Sequence, residues 1–223
     1  MPRKVALLHT SFVFVQRERM LFDLMQEILP DVEMTNIVDD SLLRQVVAQG
    51  HISEDVTRRM CLYVLAADAL GVDAIFNTCS SLGPTVDTAR RLVTTPIVKI
   101  DDAMAEKAAR EGHKVAVMAT VPSTLQPTID LIQQKADGVH TQPALEPALC
   151  AGAFDLLSQG QVERHDNMVA AKAKEAAQWA DTIVLAQCSM ARLAPRLADE
   201  TGIPVLSSPR LGIERLKQVL DSR

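Results

Sequence analysis

Two cysteines stand where a thiol can do proton chemistry. Cys79 closes the apolar run Ala74-Ile75-Phe76-Asn77-Thr78 and is followed by Ser80, Ser81 and Gly83-Pro84; Cys188 closes Ile183 to Gln187 and is followed by Ser189. An apolar run that ends in small polar residues reads as a strand feeding a helix, and in parallel sheets ligands bind at that end. A helix N-terminus stabilises a thiolate and brings a cysteine pKa down from about 8.5 toward neutrality. Such a group can take or give a proton at pH 7. The same turns offer N–H groups and the hydroxyls of Ser80, Ser81 and Ser189 to a carboxylate, and to charge that develops when an α-proton leaves. Thr10-Ser11, and Thr120 with Ser123-Thr124, follow the first strand of each half and add donors for carboxylate and amino groups. These residue types also favour helix caps and turns.

The elements that must position these residues come in two copies. Lys4 to Thr10 reads KVALLHT and Lys114 to Thr120 reads KVAVMAT. GVDAIFNTCSS, ending at Ser81, has its counterpart in ADTIVLAQCSM, ending at Met190, with Cys-Ser closing both runs. A proline-led apolar strand follows each: Pro96-Ile97-Val98 and Pro204-Val205-Leu206. Three anchors in register, to within one residue, indicate an internal duplication. Inversion of a stereocentre needs a base on one face of the carbon and an acid on the other, and two related lobes supply one thiol each.

Within each half, short β-branched runs alternate with segments of helical period, such as Met60, Val64, Ala67 and Leu70, which is the pattern of βαβ units. Strands are expected near 4–9, 32–37, 73–78 and 96–100, then near 114–119, 138–142, 182–187 and 203–206, with helices between them and a last helix at 210–221. Gly71, Gly112 and Gly202 fit the ends of helices. The expected fold is α/β, with two pseudo-symmetric lobes, each a four-stranded parallel sheet flanked by helices, and an active-site cleft between them. Residues 1–100 form the first lobe, with 207–223 packing on it, and 101–206 form the second. No linker-like composition separates them.

Composition narrows the function. A net charge of −5, with 48% apolar and 23% charged residues, and no basic cluster, argues against nucleic acid. No run approaches the roughly 18 apolar residues of a membrane span, and a cytoplasmic location is expected. The four cysteines, at 61, 79, 150 and 188, lack zinc-site spacing, and His51, His113, His140 and His165 show no ligand spacing, so no metal is expected. Cys61 and Cys150 read as packing residues. A Cys79–Cys188 disulfide reads as an inactivated form. His9 is open between a substrate contact and a hydrogen-bonded structural histidine. Glu163 to Trp179 reads as an amphipathic surface helix, available for homo-oligomerisation.

Asn77-Thr78-Cys79-Ser80-Ser81, Gln187-Cys188-Ser189 and Ala119-Thr120, in this order and spacing, resemble the aspartate/glutamate racemase superfamily, which includes hydantoin racemases, maleate isomerases and arylmalonate decarboxylases. The resemblance spans nearly the whole chain and adds Asn77 to the substrate-binding candidates. It implies catalysis without pyridoxal phosphate or metal, one thiolate removing the α-proton while the opposite thiol delivers another. Two departures stand out: Gln187-Cys188-Ser189 replaces the family's Gly-Cys-Thr, and the first motif carries its cysteine after Asn-Thr. Pro122-Ser123-Thr124 stands where the decarboxylase and maleate isomerase branches have a tyrosine. The reading is a cofactor-independent racemase or epimerase of a small carboxylate such as Asp, Glu or a hydantoin. The alternatives are a maleate-isomerase-like cis-trans isomerase with Cys79 as nucleophile, or a bilobal small-molecule binding protein.

Overall fold

The computed structural model describes residues 2–12 and 19–223. The chain divides into two compact units, Met1–Ile100 with Pro209–Arg223, and Asp101–Ser208. The segment 13–18, within the interval expected to hold the first helix, lies outside the described residues.

In the first unit the chain runs through β1 (Arg3–His9), α1 (Met20–Ile28), β2 (Val32–Val38), α2 (Asp40–Gln49), α3 (Glu54–Ala69), β3 (Ala74–Asn77), a 3-10 turn at Ser80–Leu82, α4 (Gly83–Ala89) and β4 (Ile97–Lys99). The four strands form one parallel sheet in the order β2-β1-β3-β4. The two central strands are buried from Val5 to His9 and from Ala74 to Asn77, as strands covered on both faces must be, which is why they read as unbroken apolar runs. Val56, Met60, Val64 and Ala67 form the buried stripe of α3 and pack with Ala6, Leu8 and Ile75 of the sheet. Leu70, expected on that stripe, is 51% exposed. It is the C-cap of α3, and Gly71 at φ +67° then turns the chain back toward β3.

The second unit repeats the plan: α5 (Asp102–Glu111), β5 (Lys114–Ala119), α6 (Pro122–Val139), β6 (Ala144–Leu149), α7 (Ala153–Ser158), α8 (Val162–Ala176), β7 (Thr182–Leu185), a 3-10 segment at Cys188–Leu193, α9 (Ala194–Thr201) and β8 (Val205–Ser207). Its parallel sheet has the order β6-β5-β7-β8. The last helix, α10 (Ser208–Asp221), begins two residues earlier than expected and belongs almost wholly to the first unit. Among the described residues no helix is long and apolar enough to cross a membrane.

One strand lies elsewhere than its expected place. Residues 138–142 are not a strand: α6 runs on to Val139, His140 closes it in the left-handed region at φ +58°, and the strand is Ala144–Leu149. Pro147, a strand breaker by composition, sits here because β6 is an edge strand, where one side of the backbone needs no partner.

The register of the two sheets refines the repeat. The Asp73 carboxylate accepts the Lys4 N–H while its own N–H donates to the Lys4 carbonyl; Asp181 does the same with Lys114. Leu8 pairs with Asn77, and Met118 pairs with Leu185. The Ile75 and Ile183 N–H groups donate to Pro96 and Pro204. Asn77 therefore corresponds to Leu185, Cys79 to Gln187, and Ser80 to Cys188. The two cysteines occupy adjacent positions of the repeat, not the same one, which accounts for the one-residue difference in spacing from each cysteine to the proline-led strand that follows it.

Candidate active site

In the first unit, Thr10 and Ser11 follow β1, and Thr78-Cys79 follow β3, at the carboxyl end of the sheet. Cys79 is the N-cap of the Ser80–Leu82 turn, with extended backbone (φ −121°, ψ 111°), and is half-buried against the core that holds Leu82 and Val86. Asn77 is fully buried; its amide donates to the Cys79 carbonyl at 2.9 Å, bracing the approach to the thiol, while its Oδ1 has no hydrogen-bond partner among the described residues. Ser80 is half-buried and Ser81 and Thr10 are buried, so the first unit brings the thiol, the serine pair and the β1 loop to one end of one sheet.

His9 resolves toward structure. Its Nε2 lies 2.9 Å from Asn36 Oδ1 and its Nδ1 3.1 Å from the Thr78 hydroxyl, which also reaches the Leu8 carbonyl at 3.0 Å. The ring packs on Phe22 at 6.1 Å between centroids. Burial lowers its pKa, against the Asn36 hydrogen bond, so it is neutral near pH 7. Beside it, after β2, the Asp39 carboxylate caps α2 through Ser41 and takes hydrogen bonds from Tyr63 (2.7 Å) and Arg59. Burial opposes its charge, but the bonds from Ser41, Tyr63 and Arg59 outweigh it and hold the pKa at about 2. A small cavity touches His9, Thr10, Asp39 and Tyr63.

Lys99 was not among the expected site residues. It ends β4, is 3% exposed, lies over Gly83, and reaches Asp87 at 3.0 Å. The available signal was a lysine closing the apolar Pro96-Ile97-Val98 run, since a fully buried lysine must find an anion.

In the second unit the thiol of Cys188 opens the 3-10 segment, half-buried, with Ser189 beside it. Thr120 spends both of its donors inside the protein: its N–H and its hydroxyl (3.0 Å) go to Gln187 Oε1, which also accepts the Val121 N–H at 3.2 Å. The Thr124 hydroxyl donates to the Val121 carbonyl at 2.9 Å as a turn cap, while Ser123 remains half-exposed at the start of α6. Arg192, in the Cys188 segment, grips Asp166 of α8 with two nitrogens at 2.7 and 2.5 Å, and Asp166 also meets Nδ1 of the buried His165 at 2.8 Å. Cys150 is buried after β6, and burial pushes its thiol up to about 11, too high to ionise near neutrality. Cys61 is half-buried in α3, packed on the core, and burial raises its pKa too. The four cysteines are thiols. Among the described residues no group of His, Cys, Asp and Glu could hold a metal ion.

The Asp/Glu/Hydantoin racemase family model matches residues 20–216. The chain belongs to that family. Membership makes it an isomerase of the racemase type. No curated protein sequence matches it. Among solved structures it is similar to the glutamate racemase of Francisella tularensis in complex with D-glutamate, at 14% identity, covering 99% of this chain and 82% of that one with a TM-score of 0.73. The allantoin racemase of Klebsiella pneumoniae shares 18% identity over 99% of this chain and 88% of that one, with a TM-score of 0.65. An unliganded arylmalonate decarboxylase shares 11% over 98% and 92%, with a TM-score of 0.61. At such identities the likeness is one of fold.

Proposed function

We propose that this racemase-family protein inverts the stereocentre of a small amino acid or related carboxylate by proton exchange between Cys79 and Cys188, without cofactor. The observation that carries the reading is that each unit sets one half-buried thiol at the first turn after its third strand, while its other cysteine packs into the core. One thiolate takes the α-proton and the thiol of the other unit returns a proton to the opposite face; reversing the substrate's hand exchanges the roles. The N-cap side chain of each turn makes no hydrogen bond to the turn, and amides at the start of a helical turn suit the carboxylate and the charge that builds on it. Ser80, Ser81, Ser123 and Ser189 orient the substrate with Thr10 and Ser11. The relatives named for glutamate and allantoin, one of them holding D-glutamate, support a substrate with a carboxylate or ureide beside an acidic C–H.

Hydrogen-to-deuterium exchange at the α-carbon in D2O, across L- and D-amino acids, hydantoins and small diacids, tests this. Exchange with inversion is expected for the wild type, and a fall of about 10²- to 10⁴-fold for Cys79→Ser and for Cys188→Ser with unchanged melting. Inversion that survives loss of either thiol would refute it. A covalent adduct of an unsaturated diacid on Cys79, seen by mass spectrometry, would replace it with double-bond isomerisation.

A further inference from the structure

Gln187 holds the place in the second unit that Cys79 holds in the first, directly before the second thiol. Its backbone is extended (φ −131°, ψ 136°) and forms the N-cap of the Cys188–Leu193 segment, yet its side chain makes no cap bond to that segment. The side chain crosses instead to the loop after β5, where one carbonyl oxygen collects the Thr120 N–H, the Thr120 hydroxyl and the Val121 N–H. β5 and β7 are neighbours in the sheet, so this single oxygen ties together the loops that leave their carboxyl ends. We infer that Gln187 is a positioning residue for Cys188: its side chain locks the thiol-bearing turn to the Thr120–Val121 loop.

Two physical points support the assignment. A Ser, Thr, Asp or Asn at an N-cap ordinarily spends its oxygen on the N–H groups of its own helical turn; here the Gln187 oxygen is engaged three times over by the neighbouring loop, so it fixes where the turn leaves β7. The segment is also anchored at its other end, where Arg192 grips Asp166. A turn pinned at both ends holds its thiol in one place against the sheet, which is what a preorganised reactive group requires. The inference takes from the proposed function only that Cys188 works as a thiol.

The test is the pH dependence of iodoacetamide alkylation at Cys188 in the full-length protein, followed by peptide mass spectrometry, with Cys79 in the other unit as internal control. Gln187→Met keeps the side chain's length and removes the acceptor; Thr120→Val removes one of the three donors. Gln187→Met is expected to slow Cys188 alkylation at pH 7 by about tenfold, a midpoint shift of about one pH unit. Thr120→Val should slow it less, and the double variant no further than Gln187→Met alone, with Cys79 unchanged throughout. If Gln187→Met does not fold, Thr120→Val carries the test alone. An unchanged Cys188 profile in folded variants, even with lowered melting temperatures, would overturn the inference, as would an equal shift at Cys79. A shifted Cys188 profile in a protein whose wild type exchanges no α-proton would uphold the positioning role and sink the two-thiol reaction.

Discussion

At the scale of single residues, Asn77 shows how the chain prepares a thiol it does not touch through the side chain. Its amide nitrogen donates to the Cys79 carbonyl, and its oxygen is buried with no partner among the described residues. Asn77→Asp replaces that donor with an acceptor facing a carbonyl, in a site with no exposure to water. The lost bond and the buried group left unmatched cost about 2–3 kcal/mol. Burial also disfavours the charge, so the introduced carboxyl titrates above its unfolded value of about 3.9. The penalty is then present above that value and fades as pH falls toward it, because only the ionised form is penalised. Melting curves of variant and wild type should lie far apart at pH 7 and converge toward pH 4; a gap that stays constant with pH would show that Asn77 braces nothing through its donor.

At the scale of elements, β1, β3, β5 and β7 stand near their expected places because central strands of a parallel sheet are buried on both faces and leave an apolar run in the sequence, and the edge strands β2, β4 and β8 do so through short apolar or β-branched runs of their own. β6 did not, since an edge strand carrying Glu146 and Pro147 has no such run, and its helix α6 extends into the interval where a strand was expected. The two thiol-bearing turns were legible through Cys-Ser at the end of each run. The one-residue slip between them was not, because it is set by strand register, which composition does not encode. Gln187, Asp39 with Arg59, and Lys99 stayed hidden for a related reason: their partners lie on other strands and helices of the same unit. Gly112 was foreseen as a helix end, but its φ of −86° needs no glycine. Space does: a Cβ there would stand 2.5 Å from Val115 Cγ2 and 2.9 Å from the Ala108 carbonyl oxygen. Gly112→Ala must therefore shift the link from α5 to β5 and should lower stability by about 1–3 kcal/mol. Denaturant unfolding measures this, and a neutral result would mean the link gives way freely.

At the scale of the whole chain, the second unit is one continuous stretch, whereas the first is built from both ends of the sequence. α10 meets the first unit through polar and backbone contacts as well as its buried face: Arg3 pairs with Asp221 at 2.5 Å, Arg210 with Glu27 through two bonds of 2.9 and 3.0 Å, and Gly212 lies against the backbone of Ile100. The two ion pairs are exposed and screened by solvent, so they add little to the attachment. The glycine contact is of another kind, since a Cβ at position 212 would lie 2.4 Å from the Ile100 carbonyl oxygen and 3.0 Å from its Cα. Backbone cannot swing aside as a side chain does, so the helix itself must back away, loosening Ile213 and Leu216, both fully buried. In an exposed helix Gly→Ala would gain up to about 1 kcal/mol. Here Gly212→Ala should instead cost about 2 kcal/mol, while Gly138→Ala on α6, where nothing lies within 4 Å, serves as the control that keeps the helix gain. Hydrogen exchange read by peptide should show the loss at α10 and across the sheet of the first unit, with the second unit's amides unchanged. Equal loss in both units would mean that α10 stabilises the chain as one cooperative body, and that the closing helix is not particular to the half that carries Cys79.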